Sequence, residues 1–203
     1  MTAVLPRTAL FMVVLALVPL FTVVTATEAT ALQTTPTEDE FTFLYFPHAT
    51  LEVEFTNDWG LGRSGGRRHR GNDVFSTKGT EVVAVADGFV ERIKVSARSG
   101  WYIKLRHAAD WETYYMHLNN DTAGTDDHNN DRALAIAEGL EVGDFVAAGD
   151  VIGFVGDSGN AEWTSPHTHF ELHRNGTAVN PYRFLAAAWD RKMRIQELID
   201  EVR

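Results

Sequence analysis

His167-Thr168-His169-Phe170-Glu171-Leu172-His173 alternates, residue by residue, between polar and less polar side chains. A period of two marks a half-buried β-strand, because successive side chains leave a strand on opposite faces. Thr168, Phe170 and Leu172 are therefore expected to face the core, while His167, His169, Glu171 and His173 share the other face. Neighbours on one face stand roughly 6.6 Å apart along a strand. Two imidazoles at that spacing do not easily meet one metal head-on. One direct ligand and one partner acting on a metal-bound water is the expected division.

Working outward, His69-Arg70-Gly71-Asn72-Asp73 adds an imidazole and a carboxylate far upstream. Two imidazoles with one carboxylate are a common ligand set for a catalytic zinc that keeps a position open for water. Neither pair is specific alone. Their conjunction, in segments rich in glycine and turn residues, carries the reading. Strand-like runs at residues 81–86, 88–95, 102–106, 113–118, 151–155 and 168–173 are separated by turns, with Gly88, Gly153 and Gly159 as breaks. Many short strands predict an all-β fold, an antiparallel sheet or sandwich. After Pro181 the pattern turns helical over residues 184–202. Leu185, Trp189, Met193, Ile195, Leu198, Ile199 and Val202 form an apolar stripe expected to pack on the domain.

Five ordered motifs extend the two histidine pairs. Trp59-Gly60 and Ser64-Gly65-Gly66-Arg67-Arg68-His69-Arg70-Gly71-Asn72-Asp73-Val74-Phe75 come first, then Lys78-Gly79-Thr80-Glu81-Val82-Val83-Ala84-Val85-Ala86-Asp87-Gly88-Phe89-Val90. Tyr114-Tyr115-Met116-His117-Leu118 and Val151-Ile152-Gly153-Phe154-Val155-Gly156-Asp157-Ser158-Gly159-Asn160 follow. Pro166-His167-Thr168-His169-Phe170-Glu171-Leu172 and a closing Asn180-Pro181-Tyr182 complete the set. On these residues the chain resembles the lysostaphin/LytM-type zinc metallopeptidases, enzymes that cut the peptides of bacterial peptidoglycan. The resemblance spans roughly Phe46 to Leu185.

Position by position, the resemblance implies one zinc per chain on His69, Asp73 and His169. It leaves His117 and His167 as non-ligand histidines flanking the bound water. A zinc-bound water has its pKa lowered toward about 7. A neutral imidazole can take its proton, and a second can stabilise the developing oxyanion. Which of His117 and His167 does which stays open. No His-Glu-x-x-His helix is present to supply a glutamate base. The implied substrate is a peptidoglycan stem peptide or cross-bridge, glycine bridges and D-amino-acid peptides being equally compatible.

Two rival readings belong to other classes. Asp87-Gly88-Phe89-Val90 and Val142-Gly143-Asp144-Phe145-Val146-Ala147-Ala148-Gly149-Asp150-Val151-Ile152 are similar to the half-motifs of biotinyl/lipoyl carriers, but no Met-Lys-Met or Asp-Lys-Ala occurs to be modified. A metal-free regulator of wall hydrolases is recognised by lost ligands, whereas all three ligand positions are kept here.

Composition sets the remaining bounds. The 203 residues allow one domain plus a short extension. There is no cysteine, so disulfides are excluded. The net charge of −10 disfavours nucleic acid and offers no basic patch for anionic wall polymers, leaving wall binding to the groove. Arg7, the uncharged run 8–24 and Ala29-Thr30-Ala31 read as a signal peptide over residues 1–31. An uncleaved anchor over residues 8–24 is the alternative, and only then is the membrane a partner. Either way the domain is expected outside the cytoplasm, as a monomer. Residues 32–45 are expected as linker, 46–185 as the metallopeptidase domain and 186–203 as the helix. The Asn/Asp-rich stretch 119–131 is expected as a solvated loop bordering the groove, with a weak calcium site as the lesser reading. His48, His107, His128 and His173 are expected as structural or surface residues.

Overall fold

The computed structural model describes residues 41–203, so the expected signal peptide or anchor and most of the expected linker lie outside the described residues. The strands are β1 (Glu54–Phe55), β2 (Gly62–Arg63), β3 (Arg67–Arg68), β4 (Asn72–Phe75), β5 (Glu81–Val83), β6 (Gly88–Ser96), β7 (Gly100–Arg106), β8 (Trp111–Leu118), β9 (Phe145–Val146), β10 (Val151–Phe154), β11 (His167–Arg174) and β12 (Thr177–Val179). A one-turn helix α1 (Arg132–Ala135) and the long α2 (Tyr182–Glu201) complete the list. One antiparallel sheet runs in the order β1-β4-β11-β8-β7-β6-β9, with β12 added to β11. β10 pairs with β5, and β2 with β3, as separate ribbons. The fold is all-β and antiparallel with a C-terminal helix, as the alternation predicts.

Each of the six expected runs falls on a strand. The shorter strands β1 to β4, β9 and β12 hold two to four residues, too few to show a period. The decisive strand, β11, lies between β4 and β8. Its Phe170 and Leu172 are fully buried, and Phe170 meets the rings of Phe43 and Tyr115 edge-on at 5.4 and 5.1 Å. Burying one such side chain contributes roughly 1.5–3 kcal/mol.

Packing begins before the expected domain start at residue 46. Phe41 stacks on Trp111 with ring centroids 4.9 Å apart, and Phe43 is buried. The polar composition that marks a linker covers residues 33–40 and ends before these two aromatics. Helix α2 covers this segment. Leu185 and Ala188 are buried, Trp189 packs on Phe46 and Phe55, and Arg191 and Lys192 donate to the carbonyls of Phe43 and His48. Beyond Lys192 the expected packing stops: Ile195, Leu198, Ile199 and Val202 are 41–86 % exposed. The apolar stripe outlasts the surface beneath it.

Two of the unassigned histidines are structural. His48 is fully buried, with Nε2 2.9 Å from Thr168 Oγ1 and Nδ1 3.0 Å from Ser76 Oγ. Burial, then the charges of Lys192 and His167, push its pKa down to about 3. His107 lies between the Asp87 carbonyl and Thr113 Oγ1 and is also lowered by burial. A histidine depressed in the folded state contributes stability that is complete above the unfolded pKa of about 6.5 and is lost as pH falls toward the folded value. Each such group can remove up to about 1.4 kcal/mol per pH unit in that window. The urea midpoint, measured in chelator so that metal binding does not contribute, is therefore expected to drop between pH 6.5 and pH 5. An unchanged midpoint would contradict neutral burial.

The Asn/Asp-rich stretch departs from the expected solvated loop at its start, where Asn119, Asn120 and Asp121 are buried. Lys78 accounts for the aspartate: its Nζ reaches the buried Asp121 and Asp157 at 2.6 and 3.0 Å, supplying the positive charge these two carboxylates need to leave water, and also meets the exposed Asp126 at 2.8 Å.

Candidate metal centre and cleft

Sheet register assembles the site. Between β11 and β4, His169 stands opposite Asp73; between β11 and β8 it stands opposite Met116, the neighbour of His117. His69 arrives from the turn before β4. Gly71 makes that approach possible, because a Cβ there would lie 2.3 Å from the Phe170 carbonyl oxygen and 3.0 Å from the His169 ring.

Three donor atoms converge as a result. His69 Nε2, Asp73 Oδ1 and His169 Nδ1 are separated by 3.1, 2.9 and 2.8 Å pairwise. Burial alone would lower the His69 pKa, but hydrogen bonds to Asp58 and Asp73 outweigh it and raise it to about 9. Burial would raise Asp73, yet His169 and His69 hold it well below the usual carboxylate range. Two imidazole nitrogens facing each other beside a carboxylate demand a positive charge among them. This donor set fits zinc.

Each donor is fixed from behind. His69 Nδ1 lies toward Asp58, 3.0 Å from Oδ2 and 3.1 Å from the backbone oxygen, which turns Nε2 to the cluster, where Arg63 Nη2 also stands 3.0 Å from it. Asp58 is itself held by Asn72 Nδ2 at 2.7 Å. Arg63 takes Asp73 Oδ2 at 2.5 Å, leaving Oδ1 for the imidazoles. His169 Nε2 donates to Glu171 Oε1 at 3.1 Å, and Glu171 Oε2 accepts from His173 at 2.6 Å. Such outer partners set ring orientation and ligand basicity. Sequence reading missed Asp58, Arg63 and the pairing of Glu171 with His173. Only the last carried a signal, since these residues share the alternating face of β11.

His117 and His167 line the same cleft. Their Nδ1 atoms donate to the backbone carbonyls of Ser158 and Ser165, each at 2.8 Å, so each Nε2 is an acceptor. The rings are 5.2 Å apart, and His167 Nε2 stands 3.9 Å from Asp73 Oδ1. Burial, then His167 and His169, push His117 down to about 3; burial also lowers His167. His117 reaches the cleft through a β-bulge. Trp101 pairs with Leu118 and Ile103 with Tyr115, so β8 spends three residues where β7 spends two. The extra residue leaves His117 at φ +60°, a left-handed conformation costing about 1–3 kcal/mol that clusters at working sites.

The cleft holds about 770 Å³. None of residues 119–131 lines it, so the expected border role of that loop is not seen. Five arginines do line it: Arg63, Arg67, Arg68, Arg70 and Arg98. The overall charge of −10 thus conceals a local basic surface, contrary to the expected absence of a basic patch.

Comparisons with known proteins define the class. The model of Peptidase family M23 matches residues 67–181, more than half of the chain. The chain belongs to this family of zinc metallopeptidases. It is similar to the DD-carboxypeptidase/endopeptidase Mpg of Neisseria meningitidis serogroup B, 39 % identical over 118 residues, covering 57 % of this chain and 22 % of that protein. It is also similar to the L-Ala--D-Glu endopeptidase of Bacillus subtilis, 32 % identical over 151 residues, covering 69 % of this chain and 41 % of that one. The chain therefore spans from about a fifth to two fifths of the length of these curated relatives. Among solved structures it resembles the catalytic domain of lysostaphin from Staphylococcus simulans, with TM-score 0.52 and 29 % identity, covering 66 % of this chain and 92 % of that one. The carrier reading falls with this family match.

Proposed function

We propose that this chain is a zinc-dependent endopeptidase that hydrolyses peptide bonds in peptidoglycan stem peptides or cross-bridges outside the cytoplasm. The observation that carries the reading is a three-donor cluster beside two neutral imidazoles whose Nε2 atoms are free to accept a proton. His69 Nε2, Asp73 Oδ1 and His169 Nδ1 would hold one zinc. When bound, that ion supplies polarisation of the scissile carbonyl and a nucleophilic water near neutral pH.

The chain's own residues do the rest. The backbone carbonyls of Ser158 and Ser165 keep the protons of His117 and His167 on Nδ1, away from the reacting atoms. One Nε2 takes the proton of the attacking water. The imidazolium so formed passes that same proton to the leaving amine as the C–N bond breaks and returns to neutral, while the other imidazole can donate to the developing oxyanion only in its protonated form. Asp58 and Glu171 hold the ligand rings in the tautomers that the metal requires. The relatives named as a DD-carboxypeptidase/endopeptidase and an L-Ala--D-Glu endopeptidase support the substrate class. The charge pattern of residues 1–31 supports an export leader.

Zinc content of the purified chain, paired with peptide release from purified peptidoglycan before and after chelation, tests this reading. One zinc per chain with release that chelator abolishes and zinc restores is the expected result. A chain with neither zinc nor release would instead be a silent regulator.

A further inference from the structure

We propose that the cleft selects peptides carrying free carboxylates near the scissile bond, in preference to uncharged oligoglycine. The proposal rests on the hydrolase reading for the reaction, but on different residues for the selection.

The cleft's own carboxylates are engaged inside the cluster. Asp73 faces His69, His169 and Arg63, and Glu171 is held between His169 and His173. Arg63 is likewise occupied, by Asp58 and Asp73. The other four arginines have no carboxylate partner among the described residues. Arg67 and Arg68 give hydrogen bonds only to Ser64 and to the Gly60 carbonyl, which brace the β2–β3 ribbon. A guanidinium has five donors, so most of theirs remain available. Arg70 follows the ribbon, and Arg98 comes from the β6–β7 turn, whose Ser99 carbonyl accepts the backbone N–H of His117. Guanidinium groups are thus supplied from two separate segments of chain around one cleft.

Polyglycine offers these groups nothing but backbone carbonyls. A peptide carboxylate offers a planar, bidentate acceptor that matches the guanidinium fork. The surrounding charge strengthens the effect, because a chain of net −10 repels anionic peptides everywhere except where its field reverses. One partly exposed pairing of this kind is worth roughly tenfold in affinity at low salt. The advantage should shrink as ionic strength rises.

The test compares stem peptides prepared from peptidoglycan with the same peptides after their carboxylates are converted to carboxamides, and with pentaglycine capped as the N-acetyl, C-terminal amide so that it carries no charge. Zinc-loaded full-length chain is used for equilibrium binding and for cleavage. The acid form is expected to bind at least about tenfold tighter than the amide form at low salt, with the ratio falling in high salt. Arg70→Gln with Arg98→Gln should move the ratio toward one while zinc content stays unchanged. Equal binding of acid and amide forms, or tighter binding of pentaglycine, overturns the proposal. Because binding is read separately, a chain that prefers the acid form without cutting it sinks the hydrolase reading alone. A chain that cuts both forms equally sinks only this one.

Discussion

Asp73→Ala and His169→Ala are each expected to lose zinc and activity together. Both residues contribute one atom to a cluster whose pairwise separations are about 3 Å. Removing either leaves two donors, too few for a three-ligand catalytic site. Loss of an outer partner alone weakens metal binding by about 10- to 100-fold, so loss of a donor should exceed about 100-fold. Glu171→Gln supplies the comparison. It keeps the His169 ligand atom but removes the carboxylate behind its ring, so its activity should return when zinc is added in excess. Asp73→Ala should not be rescued. The substitution also removes the 2.5 Å partner of Arg63 Nη2, leaving it Asp58, so circular dichroism should accompany the zinc measurement. An Asp73→Ala chain that folds and retains one zinc at unchanged affinity would remove Asp73 from the ligand set.

What was legible in the sequence followed the regular strand period. The alternation from His167 to His173 located the core face and the cleft face of β11, and with them the shared side of His167, His169, Glu171 and His173. The antiparallel fold followed from similar runs elsewhere. Legibility stopped where position depends on register or on an irregularity. Asp58 lies eleven residues before His69, in no repeating pattern, yet its carboxylate fixes that ring. Strict alternation along β8 would send His117 to the core side with Tyr115, and only the bulge returns it to the cleft beside Met116. Local charge is hidden in the sequence for a related reason. A net value sums over the whole surface, whereas folding gathers five arginines around one cleft. The exposed end of α2 makes the converse point, since an apolar stripe reports a helix but not how far its support extends.

The second large effect concerns His117. His117→Ala is expected to keep one zinc per chain while kcat falls by about 10²- to 10⁴-fold, the usual worth of a positioned proton-transfer group. The separation follows from geometry: its Nδ1 is committed to the Ser158 carbonyl, and its ring is 6.0 Å from that of His169. Alanine is no more comfortable than histidine at φ +60°, so the backbone strain should persist and folding should change little by that route. The backbone N–H of residue 117 still reaches the Ser99 carbonyl, which preserves the bulge. The pH profile adds a readout that a structural role would not move. In the active chain, the rate should fall in acid as a required neutral imidazole becomes protonated, and the variant should lose the part of that limb that belongs to His117. A His117→Ala chain without zinc would make residue 117 part of the metal cluster. One with zinc and undiminished turnover would leave His167 as the sole proton-transfer group, and the bulge that aims His117 would then need another purpose.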